Sequence, residues 1–380
     1  MRRPLLVLLT CLLVASCLGQ RLRINHPEYP ASVTTLTLVG QFSIAANTRF
    51  PPVVGLPFGG ISGLTTRNEG REIYGISDAP LGGRIHGFSL VDPTGTFAVR
   101  IESAVAMSMA PDDMHPDFEG ITLLPDGTFA ISSEGTDQQP RLAPSIDIYG
   151  RHGDFVTRLA VPDKFVPEKT GTATRGSRAN GGFESLTQTP DASRLFTAAE
   201  LPLLQDGDAP TFDAGARTRI LEYVARHDTY EPDREFAYDL EPIAKMPYEA
   251  SIAINGVVEL LALDRTTLLA LERAYVEDKT NPERGGSRIR LFKITLTGAT
   301  NISRLESLRG QTDVFPATKT LLIDLSEIKG LSPDLGAGLD NFEGMAFGPR
   351  LPDGRATLLL VSDDNFRPSQ RTWFLLFAIE

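Results

Sequence analysis

Five segments of this sequence share one arrangement of acidic residues around a pair of apolar runs. Residues 118–135, FEGITLLPDGTFAISSEG, contain a Glu, an apolar run, a Pro-Asp-Gly turn, a second apolar run and another Glu. The acid at the first run, here called the leading acid, recurs as Glu119, Glu184, Glu259 and Glu343, with Ser62 in the weakest copy. The acid after the second run, here called the closing acid, recurs as Asp78, Glu134, Glu200, Glu272 and Asp363.

So many carboxylates indicate metal binding if the fold brings them together. Like charges a few ångströms apart resist common ionisation, and Ca²⁺ is a divalent cation that prefers an oxygen-only shell. We therefore predict a calcium site, with another divalent cation as the alternative, and its predicted ligands are Glu119, Glu184, Glu259, Glu343, Glu134, Glu272 and Asp363. Nearby oxygen atoms would come from Asp117, Asn180, Asn255, Asp340, Asn341 and Asn365. The alternative interpretation is that each acid is a solvated turn residue at a strand end.

The elements that must position these acids are β-hairpins. Each segment has two apolar runs joined by a turn rich in Pro, Asp, Asn, Gly or Thr, which is typical of a hairpin. The leading positions recur roughly every 60 to 85 residues, and further strand candidates follow each hairpin. Four strands per unit predict an all-β fold, a β-propeller of five or six four-stranded blades, with a β-sandwich as the alternative. In a propeller, equivalent ends of the innermost strands converge on the axis.

The two ends of the chain support closure of such a ring. The last unit has only three strand candidates, at 345–347, 357–361 and 373–379, whereas the first candidate, at 34–44, has no unit of its own. We predict that this N-terminal strand pairs with the C-terminal strand, because that pairing completes the last blade and removes two exposed sheet edges.

The N-terminus has the features of an export signal. Arg2 and Arg3 precede an apolar run at 5–14, which is too short to span a bilayer. Val-Ala-Ser-Cys at 14–17 resembles a lipobox, so we predict a lipoprotein signal peptide at 1–16, lipidation of Cys17, a tether at 17–33 and the propeller domain at 34–380. Ordinary secretion is the alternative. We expect an exported protein, either a cell-envelope lipoprotein of the outer membrane or periplasm or a secreted one, that meets the membrane only through this anchor.

The composition limits the partners. The chain has 380 residues, a net charge of −11 and a pI near 5.1. This balance argues against nucleic-acid binding, which needs clustered Lys and Arg to neutralise phosphates. We expect a monomer.

The motifs FEG(I/M)…PDG, Asn-Gly-hydrophobic-Glu and Leu-Glu-Arg at 271–273 resemble the phytase-like domain family, whose members are described as having esterase-like activity of phytase. The resemblance runs from about residue 36 to the C-terminus. It implies an exported bacterial propeller and, more distantly, calcium-dependent hydrolysis of phosphate monoesters. The Asp-Ala-Asn/Asp-Asp-Pro-Ala signature of true β-propeller phytases is missing, and Asp-Ala-Pro at 78–80 matches it only faintly.

The chemistry implied by this resemblance needs metal ions and cationic groups for a small phosphorylated substrate. Metal ions polarise phosphoryl oxygens and lower the pKa of bound water, and Arg binds phosphate in a bidentate manner. We predict Glu184, Glu343 and Arg273 as catalytic residues, and Arg273, Arg178 and Arg367 as substrate-binding residues. Arg84 is a further candidate for substrate binding.

Two other functions remain open at this point. One is a metal-dependent lactonase, because lactonase propellers also collect Glu, Asn and Asp around one central ion. The other is a binding propeller in which calcium is structural. The sequence contains no G-x-S-x-G elbow, no H-E-x-x-H motif and no P-loop, so it provides no signal for a serine hydrolase, a zincin or a P-loop NTPase.

Overall fold

The computed structural model describes residues 30, 32–50, 53–79, 82–93, 97–111, 116–245, 248–281, 285–335 and 339–380. The regular structure in this part of the chain is almost entirely β. It contains 22 strands and short 3₁₀ turns at Asp163–Phe165, Leu325–Glu327 and Pro333–Leu335. None of its helices is long or apolar enough to cross a bilayer. The predicted signal peptide and Cys17 lie outside the described residues.

The strands form five four-stranded antiparallel sheets and one small hairpin. The N-terminal strands are β1 (Leu36–Ala45), β2 (Thr48–Phe50) and β3 (Val53–Phe58), and β2 pairs with β3. Blade 1 is β4 (Ile61–Arg67), β5 (Glu72–Ser77), β6 (Arg84–Val91) and β7 (Ala98–Ala106). Blade 2 is β8 (Phe118–Leu123), β9 (Phe129–Ser133), β10 (Ser145–Tyr149) and β11 (Phe155–Arg158).

The remaining blades follow the same order from the first strand to the fourth. Blade 3 is β12 (Thr187–Gln188), β13 (Arg194–Ala198), β14 (Ala216–Arg226) and β15 (Thr229–Leu240). Blade 4 is β16 (Ala250–Ala262), β17 (Thr267–Asp278), β18 (Gly286–Thr295) and β19 (Thr318–Asp324). Blade 5 is β20 (Asn341–Gly348), β21 (Thr357–Asp363), β22 (Arg371–Ile379) and, as its outermost strand, β1.

The sheets are arranged as a closed ring. The first strands of the blades contact one another in the cyclic order β4, β8, β12, β16, β20 and back to β4, so these strands are the innermost ones. The prediction of a β-propeller is confirmed, and the number of blades is five.

The ring is closed by the N-terminal strand, as predicted. β1 pairs antiparallel with β22 from Leu36 opposite Ile379 to Ala45 opposite Arg371. The backbone N–H groups of Thr34 and Thr35 donate to the carbonyl of Glu380. β1 therefore covers the edge that β22 would otherwise expose.

The Pro-Asp turns of the sequence join the two innermost strands of blades 2, 3 and 5. In each turn the Asp side chain accepts the backbone N–H two residues further on, as for Asp126 from Thr128 at 2.9 Å and Asp353 from Arg355 at 3.0 Å. Gly127 and Gly354 follow with φ values of 88° and 90°, which favour glycine. These turns lie at the end of the propeller opposite the leading acids.

Candidate metal centre

The leading residues of blades 1, 2 and 5 lie at β-bulges near the start of the innermost strands. In blades 1 and 5 the extra residue of the bulge is Ser62 and Glu343, respectively. Blade 2 has one extra residue between Phe118 and Ile121, a stretch that contains Glu119. A bulge turns a side chain out of the regular alternation, and bulges are common beside functional sites. Here they accompany the leading residues at one end of the axis.

The glycine that follows two of these positions is needed for the blades to approach each other. A Cβ atom on Gly63 would collide with the backbone oxygen of Glu119, and one on Gly120 would collide with the backbone nitrogen of Leu186. The Phe-Glu-Gly motif therefore combines a core residue, a residue of the axial site and a close contact between neighbouring innermost strands.

The strand register defines which closing residues are equivalent. Ile61 pairs with Ser77, Phe118 with Ser133, Phe183 with Ala199, Val257 with Glu272 and Phe342 with Ser362. The closing residue is the next one in each blade. The five equivalent residues are Asp78, Glu134, Glu200, Arg273 and Asp363.

In blade 4 the predicted leading acid, Glu259, and the predicted closing acid, Glu272, are each one residue away from the position equivalent to those of the other blades. The extra residue of its bulge is Val258, so Glu259 occupies the position that is Gly344 in blade 5. The carboxylate of Glu259 is fully buried and accepts backbone hydrogen bonds from Leu260, at 2.9 Å, and from Met345 and Leu186. Burial raises its pKa well above the usual range. Glu259 therefore joins the innermost strands of blades 3, 4 and 5 below the level of the other acids.

Glu272, predicted as a metal ligand, faces away from the axis. Its carboxylate accepts the Tyr238 hydroxyl at 2.7 Å and Lys319 Nζ at 2.6 Å, and also Arg290 and Asn255 at longer distances. Because side chains alternate along a strand, the neighbour of Arg273 must point to the opposite side of β17. Glu272 belongs to an ion-pair network and is not equivalent to the closing acids of the other blades.

The remaining acids form an axial cluster of eight carboxylates. Its members are Asp78, Asp117, Glu119, Glu134, Glu184, Glu200, Glu343 and Asp363. One oxygen each from Asp117, Glu119 and Glu134 lies within 4.8 Å of the others. Most of these side chains are buried, and Glu200 is completely so.

Arg273 is the cation that enters this cluster. It forms ion pairs with Glu343 at 2.9 Å and Glu200 at 3.2 Å, and it donates to the side-chain oxygen of Asn341. Asn341 in turn donates to Glu343 at 2.8 Å. Among the described residues, these are the ion pairs of the axial cluster. One guanidinium thus faces eight carboxylates.

The excess of carboxylates raises their pKa values. Burial, followed by the charges of Asp363 and Glu343, raises the pKa of Asp78 to about 9. Burial raises the pKa of Glu343 to about 8 although Arg273 opposes it, and burial raises that of Asp363 to about 6. The pKa values of Glu119, Glu134 and Glu184 are raised well above their usual range by burial and by neighbouring carboxylates.

The donor set of the axial cluster fits a hard divalent cation. All its ligand atoms are oxygens, which Ca²⁺ prefers. Asp78 Oδ1 and Glu200 Oε2 are buried and have no hydrogen-bond partner among the described residues. A buried polar atom without a partner is costly, and a bound cation would remove that cost. The calcium ligation predicted for these residues stays a prediction.

Two of the cavities that border the axial cluster and Arg273 differ in the charge of their lining. One, of about 380 Å³, is lined by Asp78, Asp117, Glu134 and Asn180. The other, of about 560 Å³, is lined by Arg273, Arg367 and Arg371 together with Asn341 and Asn365; it is called the arginine cavity below. Two of the three predicted substrate-binding arginines thus share one cavity beside the acids.

The other candidates have different environments. Arg178 donates to the carbonyls of Pro202 and Gly207, holds a loop of blade 3 and lines a third cavity, which does not include Arg273 but is also lined by Glu134 of the axial cluster. Arg84 donates to the carbonyl of Pro57 and lies over the Phe366 ring. Asn255 donates to the carbonyl of Glu241 and does not face the cluster. Asp340 lines the arginine cavity, and burial raises its pKa to about 6.

The fold and this site define a five-bladed propeller with an acidic axial centre. The family model for phytase-like proteins, described as "Esterase-like activity of phytase", matches residues 56–366. The chain therefore belongs to the phytase-like family, as the motifs predicted.

Solved structures similar to this chain include three enzymes. The periplasmic gluconolactonase of Pseudomonas aeruginosa is 13% identical, with 92% of this chain and 96% of that chain covered and a TM-score of 0.35. The α-L-arabinofuranosidase of Podospora anserina is 9% identical, with 93% of this chain and 98% of that chain covered and a TM-score of 0.38. The PQQ-bound aldose sugar dehydrogenase of Streptomyces coelicolor is 12% identical, with 93% of this chain and all of that chain covered and a TM-score of 0.31. None of the curated proteins compared with the chain matches it. At these values none of the three indicates what this chain binds.

Proposed function

We propose that this protein is a calcium-dependent hydrolase of phosphate monoesters that acts at the axial cluster. The observation that carries the proposal is the excess of eight carboxylates, six of them buried, over one guanidinium, next to a cavity lined by three arginines. The first feature suits a divalent cation, and the second suits an anionic substrate.

The residues that would hold the cation are Asp117, Glu119 and Glu134, whose oxygens already lie close together, with Glu184, Glu343, Asp78 and Asp363 around them. When bound, a divalent cation polarises a phosphoryl oxygen and lowers the pKa of a coordinated water. In the overall reaction a water oxygen bonds to phosphorus, the ester P–O bond breaks and the alcohol leaves with a proton.

Arg273 would bind the phosphoryl group. Its Nε atom is buried without a hydrogen-bond partner among the described residues, while its other nitrogens contact Glu200, Glu343 and Asn341. These three side chains hold the planar group in one orientation, and Arg273 lines the arginine cavity, from which its guanidinium would bind a phosphoryl oxygen. Arg367, on the same cavity, would contact the substrate from the solvent side.

Hydrolysis of 4-nitrophenyl phosphate by the purified protein, with calcium or with a calcium chelator, tests the proposal. We expect turnover that requires calcium and falls at least about a hundredfold in Glu184→Gln and in Arg273→Ala, because each removes a group acting at the reacting centre. Glu231→Gln, an exposed acid on blade 3, is the matched control and should retain activity. Turnover of a sugar lactone without turnover of phosphate esters would favour the lactonase alternative. Calcium binding without either activity would favour the binding propeller.

A further inference from the structure

The innermost strands of blade 4 extend further than those of the other blades. β16 has 13 residues and β17 has 12, whereas β4 has 7, β8 has 6 and β20 has 8. β17 continues for five residues beyond Arg273, while β5 and β9 end just before their closing acids. Residues 250–255 and 274–278, here called the blade 4 extension, therefore project past the level of the axial cluster.

One face of the blade 4 extension borders the arginine cavity. Alternate residues of a strand share a face, and Arg273, Tyr275 and Glu277 all line this cavity. Ile254 pairs with Tyr275 and Ile252 with Glu277, so these two side chains lie on the same face as their partners. Ile252 also lines the cavity and is 47% exposed, which is unusual for a large aliphatic side chain on a strand.

The two ends of the cavity therefore differ in the side chains that they offer a ligand. Its inner end carries the guanidinium of Arg273, beside the axial cluster. Further out it presents the ring of Tyr275 and the aliphatic side chain of Ile252, with Arg367 also on the lining. The hydroxyl of Tyr275 and the guanidinium of Arg367 have no hydrogen-bond partner among the described residues. An anion at the inner end would leave the rest of its molecule beside Tyr275 and Ile252, with the carboxylate of Glu277 on the same face.

We propose that the arginine cavity selects phosphate monoesters whose alcohol carries a planar ring, such as nucleoside or aryl phosphates, and that this ring stacks on Tyr275 beside Ile252. The inference rests on the proposed function, because the phosphoryl group must lie at Arg273 for the alcohol to reach Tyr275. The volume of about 560 Å³ is in the range of small-ligand sites. A substrate bearing phosphates on all sides would instead place some of them beside Glu277, Asp334 and Asp340, whose carboxylates also line the cavity.

The test compares two substrates whose leaving groups are both primary alcohols of ribose. Adenosine 5′-monophosphate and ribose 5-phosphate both release a primary ribose alcohol, and they differ by the planar base. We expect kcat/KM to be at least about tenfold higher for adenosine 5′-monophosphate, since stacking a base on an aromatic side chain has that order of effect. Tyr275→Ala should lower that value to the level for ribose 5-phosphate and leave ribose 5-phosphate unchanged. Tyr275→Phe should retain the preference.

Controls separate this inference from the proposed function. Leu321→Ala, an exposed aliphatic residue on the outermost strand of the same blade, should change neither substrate. Equal kcat/KM values for the two substrates in the wild type, or equal losses for both in Tyr275→Ala, would overturn the inference. If no phosphate is released from any ester, the proposed function fails, and calorimetric binding of adenosine 5′-monophosphate then decides the inference. Weaker binding by Tyr275→Ala would support it, and unchanged or absent binding would overturn it.

Discussion

Two groups of charged side chains in the interior of this propeller differ in the balance between acids and bases. The first, on blade 3, is balanced: Arg219 pairs with Asp206 at 2.6 Å and with Glu235 at 2.7 Å, and Lys164 pairs with Glu235 at 3.1 Å. Each of these side chains is buried. The second is the axial cluster, in which eight carboxylates share one arginine.

The difference supports the proposal that the axial cluster, unlike the blade 3 network, binds a cation. In the blade 3 network two acids meet two bases, and backbone groups complete the set, as when Leu308 N–H donates to Asp206 and Lys164 donates to the carbonyl of Ser303. Burying charge is tolerated when partners are provided in this way. In the axial cluster the protein provides carboxylates without enough cations, although the same chain builds a complete network one blade away. We infer that the missing charge comes from a bound ion.

The largest expected difference between the two groups is in their response to pH. Because the folded pKa values of Asp78 and Glu343 are raised to about 9 and about 8, the folded metal-free protein keeps protons that the unfolded chain releases. The free energy of unfolding changes with pH in proportion to the number of protons bound by the unfolded state minus the number bound by the folded state. Because this difference is negative here, stability falls as pH rises from about 5 to about 9. We expect a loss of several kcal/mol in chelator, measured by chemical denaturation, and a much smaller loss with calcium. Rising stability over this range in chelator would contradict the account.

The blade 3 network should be sensitive to removal of its own cation, unlike an exposed ion pair of the same blade. Arg219→Ala leaves Asp206 and Glu235 buried without their main partner and should cost about 3–5 kcal/mol of unfolding free energy. Arg226→Ala removes an exposed ion pair to Glu231 and should cost about 0–1 kcal/mol. Denaturant titration measures both. A small effect of Arg219→Ala would mean that the blade 3 network is not the balanced reference assumed here.

Calcium should stabilise the axial cluster and leave the blade 3 network unaffected. At a concentration a hundred times its dissociation constant, one bound ion adds about 2.7 kcal/mol. Glu184→Gln should lose most of this increment and should be no less stable than the wild type in chelator at pH 9, because it removes one of several repelling charges. Thermal denaturation with and without calcium measures it. An undiminished increment in Glu184→Gln would exclude this residue from the site.

The smallest effect should come from the acid that lies outside the cluster. Glu272→Gln should change the calcium dissociation constant by less than about threefold, because the carboxylate faces Tyr238 and Lys319 instead of the axis, and weakly coupled sites add nearly independently. Calorimetric titration of calcium into both proteins gives the comparison. A loss as large as that in Glu184→Gln would return Glu272 to the ligand set.

Much of the fold could be predicted because it follows from local patterns. The paired apolar runs, the Pro-Asp turns and the repeat of the Phe-Glu-Gly motif are properties of neighbouring residues, and they predicted the propeller and its closure by β1. The hairpin of β2 and β3 was missed. The number of blades could not be fixed from the sequence, because insertions such as residues 297–317 of blade 4 hide the spacing of strands.

The site was predicted less completely for a physical reason. A shift of one residue moves a side chain to the opposite face of a strand, and the sequence does not reveal where a bulge adds that residue. Val-Val-Glu at 257–259 looks like the Phe-Glu of the other blades, yet its bulge at Val258 places Glu259 in the channel. Asp78 and Glu200 were recognised as closing acids but not assigned to the metal site, and Asp117 was named only as a nearby source of oxygen atoms. One signal in the sequence could have shown the shift in blade 4. Its closing acid, Glu272, is followed directly by a basic residue, Arg273, whereas Glu134 and Glu200 are not, and Arg273 is the residue at the equivalent position.

The most direct test of the central claim counts bound metal. Protein purified without chelator is analysed by elemental mass spectrometry, beside a Glu119→Gln/Glu184→Gln variant and a Glu231→Gln control. We expect at least one calcium ion per chain in the wild type and the control, and a large loss in the double variant. Wild-type protein that carries no divalent cation and takes up none at millimolar calcium would contradict it.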